Sequence, residues 1–450
     1  MNDARADAVA GTIPPPGARE RLAWCLFDFA NSAFATLVVT FVYAAFFSKA
    51  LAPGRGDVLW SHALTVSGIA IALLSPVLGA RADQRRGGKK RGLVGASLVC
   101  IGATILLAIP YAPAGGPASD LAVYGALALF VIANVAFELV YVFYNAFLPE
   151  LGDEATIGRL SGKAWALGYA GGLLCLAVGL LAFVGLEVGT TKFTPIVDEA
   201  NGWNLRATNL LVAAWYLAFA MPAFLWLRDR GVPSAISTPR GLGKAAREVL
   251  ATLRRLRSYP DLLRLLIAHL FYNDAVLAII GLAAVYMDMT LGMDFTEIMV
   301  TAIGLNVAAG VGSFAFGWVE DKVGARAAIL GSLVLLVAGT LLAIAVPTAA
   351  AFRVAAVLVG LGLGPNQASS RSLMARFTPA AHRAEFFGIF SLSGKATAWM
   401  GTLAFGVLRD LSGSQRVAFL PLLLMFLVGG LFVLRIDQRR GEARARELAA

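Results

Sequence analysis

Long apolar runs separated by polar connections make up most of the chain. A membrane-spanning helix needs about 20 largely apolar residues, whereas a strand of a membrane β-barrel needs only about 10 in alternation. Twelve runs have the helical length, and the longer ones are expected to tilt or kink. They cover residues 22–47, 60–80, 92–110, 121–147, 160–185, 208–227, 262–287, 296–319, 327–346, 352–375, 384–408 and 417–435. The pattern predicts an all-α membrane protein with twelve transmembrane helices.

The longest polar interruption, 228–261, divides these helices into two groups of six. Apolar positions between Leu242 and Leu256 recur there at helical spacing opposite basic residues, which predicts an amphipathic helix on the membrane surface. A binding site for an outside partner is the second interpretation of that segment. The predicted organisation is a cytoplasmic N-terminal tail over 1–21, a bundle over 22–227, the linker over 228–261, a second bundle over 262–435 and a cytoplasmic C-terminal tail over 436–450.

Composition and charge support a membrane protein. Apolar residues make up 58% of the chain and charged residues 15%, against about 45–50% and about 25% in ordinary globular proteins. Of the 38 Lys and Arg residues, 29 lie in or beside the tails and the even-numbered connections and 7 lie on the opposite side. Because positive residues collect on the cytoplasmic side, both termini are predicted to be cytoplasmic in a multi-pass protein of the inner (plasma) membrane. The net charge of +10 then reflects topology, and no nucleic-acid partner is expected.

Two short motifs occur once in each group of helices. LSGKAWA at 160–166 returns as LSGKATA at 392–398, and Gly79-x-x-x-Asp83 returns as Gly317-x-x-x-Asp321. Similar offsets in unchanged order predict two parallel, pseudo-symmetric halves. In the second motif the glycines permit close helix approach, while the aspartates can cap a helix N-terminus or pair with arginine. Gly79, Asp83, Gly317 and Asp321 are therefore the predicted conformational latch.

The connections 79–91 and 317–326 resemble the loop Gly-x-x-x-Asp-basic-x-Gly-basic of the major facilitator superfamily. Further stretches resemble the vacuole-effluxer family within it: WCLFDFANSAF (24–34), FYNAFLPEL (143–151), LSGKAWALGYAGG (160–172), FYNDAV (271–276), RSLMARFTP (371–379) and AEFFGIFSLSGKA (384–396). The resemblance implies the major facilitator fold, with a substrate cavity between two six-helix bundles. It also implies transport, and fungal members of the family are understood to export amino acids from the vacuole.

Polar side chains inside the apolar runs are the candidates for substrate binding or coupling. An ionised group facing lipid is costly, so these side chains should point into the bundle. The fourth helix carries a polar stripe of this kind, with Glu138 nearest the middle of the bilayer, although a plain hydrogen-bond cluster explains its two asparagines equally well. The candidates are Asp28, Asn31, Asn134, Glu138, Tyr141, Asn145, Asn273, Asp274, Asn366, Gln367, Arg371 and Lys395.

Further expectations concern the fifth, seventh, tenth and eleventh helices. His269 is interpreted as a packing residue. The glycines around Pro365 predict a break in the tenth helix at the cavity. Arg371 is expected to bind an anionic group or to pair with an acid. Lys395 lies too deep to reach the interface, so it should hold a carboxylate of Asp28, Glu138, Asp274 or an amino-acid substrate, whereas Lys163 can reach the cytosol.

The leading interpretation is a secondary active transporter that moves a small polar solute by alternating access. Protons are a candidate coupling partner, exchanged by Asp28, Glu138 and Asp274. The second interpretation is a non-transporting membrane sensor or scaffold, favoured by the missing arginine motif of many proton-coupled members. No enzymatic activity, cofactor or metal is expected, because Gly158 and Gly162 lack the spacing of a phosphate-binding loop and the cysteines form no metal motif. The lipid bilayer is the only other partner, and the protein is expected to be a monomer.

Overall fold

A computed structural model describes residues 14–113, 116–188, 191–231, 252, 254 and 256–447. Twelve membrane-spanning helical segments follow one another along this part of the chain. Their bounds are α1 Ala18–Leu51, α2 Gly56–Asp83, α3 Gly88–Leu106, α4 Asp120–Asn145, α5 Ile157–Val184, α6 Trp203–Trp226, α7 Pro260–Met289, α8 Phe295–Val323, α9 Ala325–Ala345, α10 Ala349–Phe377, α11 in two parts, Arg383–Lys395 and Met400–Ser412, and α12 Gln415–Leu434.

Ten of these segments in the described ranges are long and apolar enough to cross a membrane as single helices. The other two are α3, which begins with a basic turn, and α11, which is interrupted. Shorter elements complete the described chain. They are a helix at Leu148–Leu151, a hairpin of β1 Leu186–Val188 with β2 Thr191–Phe193, 3₁₀ turns at Ala200–Gly202, Leu256–Ser258 and Ala380–His382, and α13 Gln438–Glu447.

The two halves meet through pseudo-symmetric helix pairs. The second helix of each half packs against the fifth helix of the other half, as α2 packs on α11 and α8 packs on α5. A Cβ atom on Gly79 would overlap the carbonyl of Ala384, and one on Gly162 would overlap the carbonyl of Ser313. Glycine at these crossings lets the backbones touch, which is how helices associate closely where apolar burial gives no advantage over lipid.

The helices begin and end up to about five residues from the predicted bounds, and the eleventh helix is also interrupted. The first helix begins at Ala18, before the predicted residue 22, because its first turn is polar and Glu20 accepts a hydrogen bond from the Gly17 amide. It ends at Leu51 and not at residue 47. The eleventh helix stops at Lys395 and resumes at Met400 instead of continuing through 384–408.

The predicted break in the tenth helix is wrong. Residues 349–377 form one α-helix with Pro365 inside it. The glycines before the proline pack against neighbouring helices instead of loosening the chain. A Cβ on Gly360 would overlap the Leu305 carbonyl, and one on Gly364 would overlap the Ala309 carbonyl, both in α8.

The amphipathic helix predicted between Leu242 and Leu256 lies outside the described residues, apart from positions 252, 254 and 256.

Candidate functional site

A cavity of about 630 Å³ lies between the two halves. The first half contributes α1, α4 and α5, and the second contributes residues from α7 to α12. The volume falls within the range of about 300–1,000 Å³ typical of small-molecule sites. Polar side chains in its lining include Ser32, Thr36, Glu138, Tyr141, Asn145, Asn273, Asn306, Gln367, Arg371 and Lys395.

The cavity extends toward the membrane face opposite the termini. Its lining includes Met287 at the end of α7, Ile298 at the start of α8 and Phe352 at the start of α10, all on that face. Its other end lies at Asn145 and Arg371, beyond which the halves are in direct contact. One face of the bundle is thus closed and the cavity belongs to the other.

A salt bridge crosses the cavity between the two halves. The Nζ atom of Lys395 in α11 lies 2.7 Å from Oε1 of Glu138 in α4. The exposed fractions of the two side chains are 26% and 20%, so both remain accessible from the cavity. Of the three carboxylates considered for Lys395 from the sequence, the structure selects Glu138.

A second ion pair closes the end of the cavity. Nη1 of Arg371 in α10 lies 3.1 Å from Oδ2 of Asp28 in α1, and both side chains are buried. The same guanidinium donates to the hydroxyl and carbonyl oxygens of Ser161 at 3.0 and 2.9 Å and packs over the ring of Trp24. Arg371 therefore pairs with an acid, and Asp28 lies behind it, outside the cavity lining.

The polar residues of α7 have separate surroundings. Asn273 accepts a hydrogen bond from Gln367 and donates one to the Gly394 carbonyl, both at 3.0 Å, at the cavity wall. His269 contacts the hydroxyl of Ser393 at 2.9 Å and also borders the cavity.

Asp274 is not part of the cavity lining, although the sequence made it a candidate. Its Oδ2 accepts a hydrogen bond of 3.1 Å from the Gly401 amide, at the start of the second part of α11. A carboxylate is favourable at a helix N-terminus, which is also the physical reason why α11 can restart there. Asp274 therefore caps a helix inside its own half.

Three other candidates are buried outside the lining. Asn31 accepts a hydrogen bond of 3.4 Å from the Tyr141 hydroxyl, and Asn366 donates one of 3.1 Å to Ser332 in α9. Asn134 is buried in α4. Of the twelve candidates, the cavity thus contains Glu138, Tyr141, Asn145, Asn273, Gln367, Arg371 and Lys395.

On the closed face, each half places one aspartate at a helix N-terminus of the other half. Asp83 accepts hydrogen bonds from the amides of Ala384 and Glu385, at 3.1 and 2.8 Å, in the first turn of α11. Asp321 accepts one of 3.0 Å from the Gly158 amide in the first turn of α5, and its Oδ2 lies 2.5 Å from Nε of Arg159. The two contacts are pseudo-symmetric, and both require the halves to be in contact on this face.

Several relationships place the chain among known proteins. A family model described as "Vacuole effluxer Atg22 like" matches residues 153–446, which is well over half of the chain. The chain belongs to the vacuole-effluxer family. YxiO of Bacillus subtilis (strain 168), described as an uncharacterized MFS-type transporter, is similar to this family member: the two are 25% identical over 416 residues, covering 91% of this chain and 93% of YxiO.

A fungal protein also resembles this vacuole-effluxer chain. Autophagy-related protein 22 of Coccidioides immitis (strain RS) is 23% identical over 300 residues, covering 61% of this chain and 49% of the fungal protein. The chain thus spans about half the length of this relative.

Solved structures share the fold. FucP, a major facilitator superfamily transporter in the outward conformation, has a TM-score of 0.72 at 16% identity, covering 93% of this chain and 98% of FucP. A bacterial homologue of the iron transporter ferroportin, in an outward-facing state, has a TM-score of 0.68 at 16% identity, covering 93% and 99%. The sequence-based predictions of the fold and of the vacuole-effluxer family are confirmed, and the chain is a multi-pass transporter of the major facilitator superfamily.

Sequence reasoning missed one buried charge cluster of this vacuole-effluxer chain. At the closed face, Glu150 forms a salt bridge of 2.7 Å with Arg383 from the other half and another with Lys89, which also lies 3.2 Å from Asp229. Glu150 lies in FYNAFLPEL, one of the stretches that resemble the vacuole-effluxer family, and that position could have identified it as a functional candidate. The three others occur in polar connections, where charges were attributed to membrane topology alone.

Proposed function

We propose that the chain moves a small zwitterionic solute, with amino acids as the first candidates, by alternating access. The observation that carries the proposal is the salt bridge of 2.7 Å between Glu138 and Lys395 in the cavity. A zwitterion can replace both partners at once, because its carboxylate can bind Lys395 while its ammonium binds Glu138. Both protein charges stay paired during this exchange. An unpaired charge would be costly in a site of low dielectric constant.

The surrounding side chains suit a small organic solute. Phe137, Tyr141, Trp165 and Phe390 give the cavity an aromatic wall, while the amides of Asn273, Asn306 and Gln367 offer donors and acceptors. A few polar groups in a largely apolar cavity orient a ligand and discriminate between substrates. The family resemblance to amino-acid exporters agrees with this chemistry.

The position of the salt bridge links binding to movement of the halves. Glu138 belongs to the first half and Lys395 to the second, so a solute held by both contacts the two moving bodies together. If the termini are cytoplasmic, as the basic residues predict, the structure is an outward-facing state. The contacts of Asp83 and Asp321 then hold the cytoplasmic face closed.

We expect Asp83→Asn and Asp321→Asn together to open this closed face. Each carboxylate bonds a helix N-terminus of the other half, and losing the two charges should cost the closed state about 1–2 kcal/mol, or about tenfold in population. The measurement is the rate of maleimide labelling of a cysteine at Ser75, which is buried against Gly388. All variants would carry alanine at the three native cysteines.

Faster labelling of the double variant is the expected result. Asp410→Asn, which changes an exposed aspartate far from this contact, serves as the control and should label at the starting rate. Equal labelling of all three proteins would remove the latch role from Asp83 and Asp321.

Proton coupling is assigned to Glu138 in this proposal. The carboxylate of Glu138 binds either a proton or the ammonium of the solute, so proton binding and solute binding compete at one place. Asp28 and Asp274 are less suited, because Asp28 is paired with Arg371 outside the lining and Asp274 caps α11.

Purified protein in liposomes tests both parts of the proposal. Amino acids, their decarboxylated amines, their deaminated acids and uncharged sugars would be compared, with and without an imposed proton gradient. We expect flux of at least one amino acid, little flux of compounds that lack either charge, and loss of the gradient effect in Glu138→Gln. Glu199→Gln, at an exposed position, is the matched control.

Three outcomes would contradict the proposal. Equal flux of amines, acids and amino acids would overturn the zwitterion model. A gradient effect that persists in Glu138→Gln would move coupling elsewhere. Absence of flux for every compound, with protein that is folded, would favour the sensor or scaffold interpretation.

A further inference from the structure

A second cavity of about 610 Å³ lies beside α5, between α1 and α8, on the side of the bundle that carries the termini. We call it the lateral groove. It shares no described lining residue with the substrate cavity. Its lining comprises Arg21, Leu22, Cys25, Leu151, Thr156, Arg159, Leu160, Lys163, Ala166, Leu167 and Phe314.

The groove faces the lipid. Leu22 and Phe314 lie within membrane-spanning helices and keep 53% and 48% of their surface exposed, and Trp318 next to them keeps 44%. Large apolar side chains exposed on such a bundle contact acyl chains. A lipid therefore has direct lateral access to the groove.

Charge in the groove has one sign. Its lining contains three cationic side chains, Arg21, Arg159 and Lys163, and no carboxylate. Arg159 is bonded through Nε to Asp321, which lies outside the lining, and Arg21 donates through Nε to the Leu151 carbonyl at 2.9 Å. Arg159 is thus neutralised by Asp321, whereas no salt bridge forms between the described residues and either Arg21 or Lys163, so these two offer positive charge to a ligand.

Lys163 has the weakest protein contacts of the three. It lies about 9 Å along α5 from Ile157, at 1.5 Å per residue. Its Nζ is 5.9 Å from the centre of the Trp318 ring, and no described carboxylate lies within salt-bridge distance of it. An ammonium at this depth is costly without an anion or water, so it either extends to the headgroup region or binds an anion there.

We propose that the lateral groove binds an anionic phospholipid. Its phosphate contacts Lys163 and Arg21, while an acyl chain lies along Leu167 and Phe314. Basic grooves between helices on the cytoplasmic side suit such headgroups, and guanidinium and ammonium groups form charge-assisted hydrogen bonds to phosphate. Apolar walls open to the bilayer favour a lipid over a free phosphate ion.

The proposal also accounts for the unequal lysines of the sequence repeat. Lys395 faces the substrate cavity and pairs with Glu138, whereas Lys163 faces the lipid. The two pseudo-symmetric lysines thus bind different anions: Lys395 binds the carboxylate of Glu138, and Lys163 binds the lipid phosphate.

Native mass spectrometry of the full chain in detergent tests the proposal. Phosphatidylglycerol and phosphatidylcholine with identical acyl chains would be titrated separately, and the number of bound lipids counted. We expect the wild type to retain phosphatidylglycerol in preference, and Lys163→Gln to weaken this binding by about tenfold, the effect of losing one charge-assisted hydrogen bond. Lys322→Gln, which changes an exposed lysine on the same face, is the control and should leave binding unchanged.

Arg21→Gln is a second test variant for the case that Lys163→Gln folds poorly. It too is expected to bind phosphatidylglycerol more weakly than the wild type. Equal binding of the two lipids would overturn the proposal, as would equal losses in Lys163→Gln and Lys322→Gln. Displacement of bound phosphatidylglycerol by an equimolar amount of glycerol 3-phosphate would also overturn it, since a free phosphate would then be the ligand.

Discussion

Lys395→Ala should lower the initial rate of amino-acid transport by about 30-fold. The substitution removes the proposed carboxylate partner and leaves Glu138 unpaired in the cavity. Truncating one member of a buried, hydrogen-bonded charge pair costs about 2–5 kcal/mol, and the lower end applies because both side chains are partly exposed. A cost of about 2 kcal/mol corresponds to about 30-fold. The measurement is the uptake of a radiolabelled amino acid into phosphatidylcholine liposomes.

The repeat supplies the matched control for this variant. Lys163→Ala changes the equivalent lysine, which lies outside the substrate cavity, so its transport rate in neutral lipid should stay near that of the wild type. The double variant Glu138→Gln with Lys395→Gln separates binding from folding. It removes both charges together, so it should unfold near the wild-type temperature yet fail to transport. Transport by either Lys395→Ala or the double variant at the wild-type rate would exclude the pair from the substrate site.

Arg371→Gln should destabilise the protein by about 3 kcal/mol or more, because breaking a buried ion pair leaves an uncompensated charge. Asp28 is the group left behind, in a site where both partners are about 2–3% exposed. The guanidinium also holds α1, α5 and α10 together through Asp28 and Ser161, so its loss should weaken the contact between halves. Thermal unfolding of purified protein in detergent measures the effect.

Asp28→Asn combined with Arg371→Gln should recover most of the lost stability, since the pair is then removed as a whole. Arg353→Gln is the control, because its salt bridge with Glu297 is exposed and such pairs contribute about 0–1 kcal/mol. If Arg371→Gln and Arg353→Gln unfold at the same temperature, the buried pair does not stabilise the closed face.

The transmembrane helices could be predicted because each must satisfy its backbone hydrogen bonds within one apolar segment. The interruption of α11 could not be predicted, since it depends on Asp274 from α7 reaching the Gly401 amide. The glycines of α10 were misread for the same reason. Glycine is compatible both with a helix break and with close helix packing. In α10 the glycines lie against backbone carbonyls of α8, so here they allow close packing.

The candidate site was only partly predictable. The polar stripe of α4 and the depth of Lys395 pointed to the cavity, because an ionisable group inside a membrane is costly unless it faces the bundle interior. Helical periodicity does not indicate which interior surface a side chain faces. Asp274 and Asn366 therefore appeared equivalent to Glu138 and Gln367, although they pack within their own half.

The sequence by itself determined the number of helices, the duplication, the family and part of the set of buried polar residues. Only the tertiary structure decided that Lys395 pairs with Glu138, that Arg371 pairs with Asp28 and that one face is closed. The physical reason is the range of the interactions. Apolar length and repeat spacing are properties of local sequence, whereas an ion pair between halves depends on the rotation and crossing of helices more than 200 residues apart.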